Sequence, residues 1–492
     1  MVTPRDGDEI DLIDASIRTT GGALASTTLY VLSGVVYVAV TSAEATGTYF
    51  FVSIGAALVL RPIRGVSQAL RKIGTERGEA VGPYLGVAVL FAAAYLAVAS
   101  IVTVAAADEL ARLTVFGADR LPAIGLYALA LSASMVVTSL VAAMGYPSAE
   151  TWISGGQSAI QLGAVLGLAP FLSTAGDLLL VSGAVRLVLL VPVGLVLGVV
   201  PRLPDRPALA RVWQFGRWSV PDQVLDRFSY NMPVYVLGVV ATPAAVGIYE
   251  TADRFADFGA TISWRLSSPL LARVSGDDAI GDDHLAYLDG AVTGGTGVTF
   301  LVLGYLLAAH DVVAALALSD ARATFSTAVL LVGGVNVLRG FWTLTSHAME
   351  GVGRPGTSFR TKLYGLAVGL PVTAVLGGQL GAVAGALGYG VMNLAVFGYV
   401  VYYARDVFGR LPLDRTVTLH LSLGLLVAFV ATEGVIAALA ALGVAPLLVA
   451  IGAVGAALAG FGVPLLVVSA PTRRILRRTL DMCLPAGQSI LR

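Results

Sequence analysis

The sequence predicts an all-α, polytopic membrane protein of about fourteen transmembrane helices, arranged as two pseudo-symmetric six-helix bundles plus two C-terminal helices. Three observations predict it. Charged residues make up 13% of the 492 and hydrophobic residues 57%, with a mean hydropathy of +0.83. A soluble globular chain carries about 25% charged residues, so half of the usual solvated surface is missing. Apolar runs near the ~20 residues that a spanning helix needs recur along the whole chain. Two short motifs also recur at almost the same offset.

The apolar runs begin near Gly21, Gly47, Val81, Leu121, Thr151, Gly176, Phe215, Ala244, Leu285, Phe325, Thr357, Gly381, Val417 and Ala445. They are numbered spans 1 to 14. Those starting at Gly47, Phe215, Ala244 and Phe325 carry ionisable residues, and each such residue is costly in a bilayer unless it faces protein or water. Before span 1, the acids Asp6, Asp8, Glu9, Asp11 and Asp14 do not fit a signal peptide, which needs a basic start and then an apolar stretch. Ile10, Ile13 and Ile17 fall at helical spacing, as in a short amphipathic helix on the membrane surface.

Lys and Arg set the orientation. With both termini cytoplasmic, only Arg112, Arg120 and Arg322 lie outside and Arg186, Arg227, Arg254 and Arg339 within spans, leaving 24 of the 31 basic residues inside. Asp and Glu also number 31, and the zero net charge excludes a basic chain built to coat nucleic acid. The lone Cys483 excludes a disulfide framework.

AEATGTYFF, with Gly47 and Tyr49, recurs as PAAVGIYET, with Gly247 and Tyr249, at an offset of 200. MGYPS around Gly145 recurs as VGRPG around Gly353 at an offset of 208. This duplication gives the expected organisation: 1–20 amphipathic segment, 21–200 first bundle, 201–410 second bundle, 411–470 two further helices, and 471–492 a basic cytoplasmic tail.

ATGTYFF at span 2, VYVLGVVATPAAVGIYETADRF across spans 7 and 8, SSPLLARV, and AMEGVGRPGTSFRTKL between spans 10 and 11 carry a family likeness. Here the chain resembles the polysaccharide and lipid-linked oligosaccharide flippases of the multidrug/oligosaccharidyl-lipid/polysaccharide exporter superfamily. The resemblance implies two six-helix lobes working by alternating access, with spans 7 and 8 lining a central cavity. Family members often carry a basic stretch before the first Gly-x-Tyr element. VAVTSAEAT has no cation there, so no substrate-binding role passes to that loop.

Span 8 holds the richest polar stripe: Glu250, Asp253, Arg254, Asp257, Thr261 and Arg265 lie within about a 120° arc at 100° per residue. Such a stripe avoids lipid. It lines a substrate path, with Arg254 on a phosphate, or forms a ladder in which Arg254 pairs with Glu250 and Asp257. Span 7 adds Asp222, Asp226, Ser229 and Tyr230 on one face, with Arg227 turned away from it. Span 10 brings Asn336, Arg339, Thr343, Ser346, His347 and Glu350. The expected cavity residues are therefore Arg254, Asp257, Glu250, Asp253, Arg227, Asp226 and Arg339. Arg339 and His347 also fit buried helix contacts. Arg18, Arg61 and Arg64, at the inner ends of spans 1 and 2, suit capture of an anionic lipid head group, because guanidinium binds phosphate oxygens in pairs; they also fit ordinary anchoring.

GDDAIGDDH matches neither a calcium loop nor a zinc motif, so no metal or other cofactor is expected. No P-loop string occurs. RRILRR in the tail reads as a contact with anionic membrane lipid. The leading expectation is a flippase for a lipid-linked oligosaccharide in the cytoplasmic membrane, with glycan-assembly enzymes as partners. A cation-coupled multidrug exporter is the alternative, although spans 1, 3 and 4 carry no acid. A membrane enzyme acting on lipid-linked sugars is the third reading, opposed by outer loops as short as TSAEAT and GGQL.

Overall fold

A computed structural model describes residues 12–74, 81–113, 120–280, 285–352, 354–410 and 415–468. The first eleven residues, the acidic stretch 281–284 and the basic tail lie outside the described residues, as does the side chain of Arg18. All regular structure described is helical, and each of the fourteen candidate spans falls on a helix. The protein is a polytopic helical membrane protein. Nine described helices are long and apolar enough to cross a membrane, or ten if one bent pair counts as a single span. The runs from Phe215 and Ala244 fall short, as their charges imply, and so do those from Gly21, whose described apolar stretch is Ala25–Val40, and Thr151; that from Phe325 passes despite Arg339 and Glu350.

The chain forms two compact units, Met1–Gly247 and Ile248–Arg492. Unit 1 contains α1 (Leu12–Val40), α2 (Ala43–Val59), α3 (Arg61–Gly74), α4 (Val81–Ala105), α5 (Ala107–Leu113), α6 (Leu121–Ala143), α7 (Pro147–Gly167), α8 (Ala175–Leu197), α9 (Arg206–Val240) and the first turn of α10 (Pro243–Ile280). The rest of α10, with α11 (Leu285–Ala317), α12 (Arg322–Gly351), α13 (Pro355–Leu380), α14 (Ala382–Phe408), α15 (Arg415–Ala441) and α16 (Pro446–Val468), makes unit 2.

Local chemistry starts several of these helices. Ser42 caps α2 by accepting from the Ala45 amide at 3.0 Å, and Asp205 caps α9 through Ala208 at 2.9 Å. Thr174 and Asp177 form a capping box on α8. Pro147 and Pro355 open α7 and α13, where a missing amide hydrogen costs nothing.

Span 2, expected as one run, is broken. At Leu60 the chain bends by 51° into α3. Ile63, Val66, Ala69 and Leu70 are buried on one side of α3, in a core with Leu85 of α4, Leu140 of α6 and Val212 of α9. This amphipathic pattern turns the other side of α3, with its arginines, towards polar surroundings. Helix α9 packs in unit 1, whereas the expected second bundle starts at residue 201. Its Tyr235 donates to the Ile54 carbonyl at 3.3 Å, and its Arg211 donates to the Tyr84 hydroxyl at 3.0 Å.

The repeated Gly-x-Tyr motifs meet at their glycines. A Cβ on Gly47 would lie 1.8 Å from the Pro243 carbonyl oxygen, and one on Gly247 would lie 2.3 Å from that of Ala43. Only glycine allows this approach. In unit 2, Phe341, Leu344 and Met349 of α12 pack with Val396, Val400 and Phe408 of α14, while α15 and α16 share a smaller core around Leu421 and Phe461.

Candidate functional site

The seven expected cavity residues separate into two clusters. Five meet in unit 2. On α10, Arg254 Nε donates to Glu250 Oε1 at 3.1 Å, and the two side chains are 7% and 3% exposed. This is the i,i+4 pairing that helical geometry favours. Asp257, one turn further, pairs with Arg339 of α12, and Thr261 donates to the Asp257 carbonyl at 3.1 Å. Asp253 is 6% exposed, and among the described residues it accepts no hydrogen bond and joins no ion pair. Three carboxylates and two guanidiniums leave a formal charge of −1. The buried Tyr249 and Tyr389 lie in the same electrostatic neighbourhood as Asp253 and Arg339.

The cluster is buried rather than displayed on an open surface. Its two arginines already hold acids, Arg254 through Nε and Arg339 through Nη1. On α12, one turn from Arg339, Asn336 is 1% exposed, and both of its amide atoms lack a protein partner. His347 Nδ1 sits 2.8 Å from the Thr343 carbonyl of its own helix. Glu350 is half-buried.

The second cluster, in unit 1, joins residues that the sequence kept apart. Arg61 on α3 donates through Nη1 to Gln223 Oε1 of α9 at 3.3 Å. Arg227, one turn further along α9, and Arg64 lie close enough to repel Arg61, while Asp226 offsets them in part. The Arg227 guanidinium stands 5.8 Å from the Tyr230 ring centroid. Arg64 and Arg71 reach opposite oxygens of Glu150, in the first turn of α7, at 3.4 and 3.2 Å. Four guanidiniums face two carboxylates, so the cluster carries a formal +2. The Nε atoms of Arg61 and Arg227 are buried and unpartnered. Buried donors left open are expensive unless a ligand or water fills them.

Sequence reasoning did not single out Glu150 or Gln223. Glu150 is a lone acid after Pro147, the ordinary signature of a helix start, and only folding brings it to α3. Another missed group is a polar knot in unit 1, where Gln161 Nε2 of α7 is within hydrogen-bond reach of Tyr37 of α1, Tyr49 of α2 and Ser182 of α8. Among the described residues, no group of three or more His, Cys, Asp or Glu side chains is placed to hold a metal ion.

No protein-family model matches the chain, and no curated sequence matches it. Solved structures do. The fold is similar to a lipid II flippase, MurJ, in an inward closed conformation, with TM-score 0.73 and 12% identity over 94% of this chain and 100% of that one. It is also similar to an outward-facing multidrug resistance MATE family transporter of the MOP superfamily, with TM-score 0.59 and 15% identity over 82% of this chain and 97% of that one. A MOP superfamily transporter from Pyrococcus furiosus matches with TM-score 0.56 and 14% identity over 81% of this chain and 96% of that one. The chain therefore shares its fold with these membrane transporters.

Proposed function

We propose that the protein is a flippase that translocates a lipid-linked oligosaccharide, carried on a polyprenyl or dolichyl phosphate or pyrophosphate, across the cytoplasmic membrane by alternating access. It serves polysaccharide or glycoprotein assembly, and both of its termini are cytoplasmic. The observation that carries this reading is the arginine cluster of α3 and α9, with its excess charge and two open buried donors. A phosphate offers several oxygens to guanidinium forks and brings the missing negative charge. The likeness to a lipid II flippase over nearly the whole chain supports it.

In this mechanism Arg61, Arg64 and Arg227 hold the anionic linkage, and the capture role proposed for Arg18 rests on its sequence position alone. The head group loses hydration as it leaves water, and fixed guanidiniums replace part of that hydration. The unit 2 residues Arg254, Arg339, Glu250, Asp253 and Asp257 form a second polar station. There a phosphate competes with carboxylates already in place.

A multidrug exporter is the second reading, favoured by the likeness to MATE transporters. The polar knot at Gln161 weighs against it, because Tyr37, Tyr49, Gln161 and Ser182 supply hydrogen bonds but no negative charge for a cation. The two readings separate in proteoliposomes. Exposure of a fluorescent phosphate-linked glycan lipid at the far leaflet, without ion-driven export of a cationic dye, is the flippase result. Dye export driven by a cation gradient, with no lipid movement, is the exporter result.

A further inference from the structure

Glu150 occupies an unusual place in the arginine cluster. Arg64 and Arg71 stand two turns apart on α3, on one face of the helix, and the two oxygens of this single carboxylate bridge them. The other two arginines differ. Arg61 has an amide oxygen as partner, Arg227 has an aromatic face, and each keeps a buried unfilled Nε–H. The cluster is thus half neutralised from within and half open.

We infer that Glu150 is an internal counter-anion: its carboxylate holds Arg64 and Arg71 until a phosphate takes its place, and so it sets both the affinity and the release of the anionic head group. This rests on the phosphate-capture reading of the cluster.

Three features favour displacement over a fixed strut. The contacts at 3.4 and 3.2 Å are longer than the short charge-assisted bonds of a tight pair, which fall near ~2.8 Å. The side chains of Arg64, Arg71 and Glu150 are 34%, 46% and 18% exposed, so an incoming anion can reach all three. When displaced, Glu150 is not stranded. It sits in the first turn of α7, where the positive end of the helix dipole favours a negative charge.

A four-arginine cluster without Glu150 would hold a phosphate more tightly and release it more slowly. A carboxylate of the protein's own, returning to Arg64 and Arg71, completes the exchange. Glu150 is therefore a positioning and specificity residue, acting on substrate through the arginines.

Inorganic pyrophosphate is the probe. It is titrated calorimetrically at low ionic strength into the full chain in nanodiscs of phosphatidylcholine, because salt would screen the charges. Each half-exposed ion pair is worth a factor of a few, so Glu150→Gln is expected to bind the probe roughly five- to tenfold more tightly than wild type. In the flipping assay the same variant lowers KM and lowers the maximal rate, a split that a loss of structure does not produce. Glu150→Asp keeps the charge but draws it back by one methylene, and it is expected to shift binding in the same direction by less. It also serves as the comparison if the amide variant fails to assemble. Repeating the titration with phosphatidylglycerol in the discs separates the sources of phosphate. Retention of the gain supports a dedicated head group, and its disappearance shows that bilayer head groups also displace Glu150. Equal or weaker binding by both variants, with wild type binding normally, overturns the role of Glu150 and leaves the capture reading standing. No binding to wild type or either variant overturns both.

Discussion

Arg254 Nε lies 3.1 Å from Glu250 Oε1 on the preceding turn of α10, and both side chains are buried. Removing one member of such a pair leaves a desolvated charge. Arg254→Ala is expected to cost about 3 kcal/mol, seen as a lowered unfolding temperature in detergent. Glu250→Leu combined with Arg254→Met should recover most of that loss. Any loss of flipping in Arg254→Ala has to be measured per folded molecule.

Asp253 and Asp257 provide a contrast four residues apart on the same helix. Asp257 holds Arg339, whereas Asp253 is buried without a hydrogen bond or ion pair among the described residues. Asp253→Asn keeps the shape and removes a charge, so its unfolding temperature should equal or exceed that of wild type. Asp257→Asn should lower it, by about 2 kcal/mol or more, because the partly buried Arg339 loses its counter-ion.

Gly388 marks the tightest crossing of α13 and α14. A Cβ there would lie 1.8 Å from Thr373 Oγ1, whose hydrogen is donated to the Gly369 carbonyl at 3.2 Å. Gly388→Ala is expected to cost about 2 kcal/mol through overpacking. Thr373→Ala in the same chain should relieve part of that cost, and thermal unfolding of the single and double variants gives the coupling directly.

Gln161 ties α1, α2, α7 and α8 through one amide. Gln161→Leu fills similar volume but leaves three buried hydroxyls without this partner. The expected loss is about 2 kcal/mol, checked by the same unfolding measurement.

Which features were legible in the sequence depended on whether they are local. The fourteen helical segments follow from apolar runs, and the Glu250–Arg254 pair follows from i,i+4 spacing on one helix. The pairing of Asp257 with Arg339 does not, because the two are 82 residues apart and periodicity does not say which helices face each other. In the sequence Arg227 falls off the acidic face of span 7, and Arg61 falls at the inner end of span 2. Their association needs the bend at Leu60 and the packing of α9 on α3, both tertiary effects. Glu150 carried only a helix-start signal, which its position in the first turn of α7 also satisfies.

The flippase reading stands most directly on Arg61 and Arg227, whose open Nε–H groups are the unfilled part of the cluster. The measurement is the initial rate at which reconstituted protein moves a phosphate-linked glycan lipid between leaflets, in wild type and in Arg61→Ala/Arg227→Ala. Loss of two guanidinium contacts to a phosphate predicts a fall of at least about tenfold with the fold intact, and the Lys pair should restore only part of the rate because it keeps charge without the planar fork. A wild-type rate in the doubly substituted alanine protein would contradict the assignment of this cluster to the substrate.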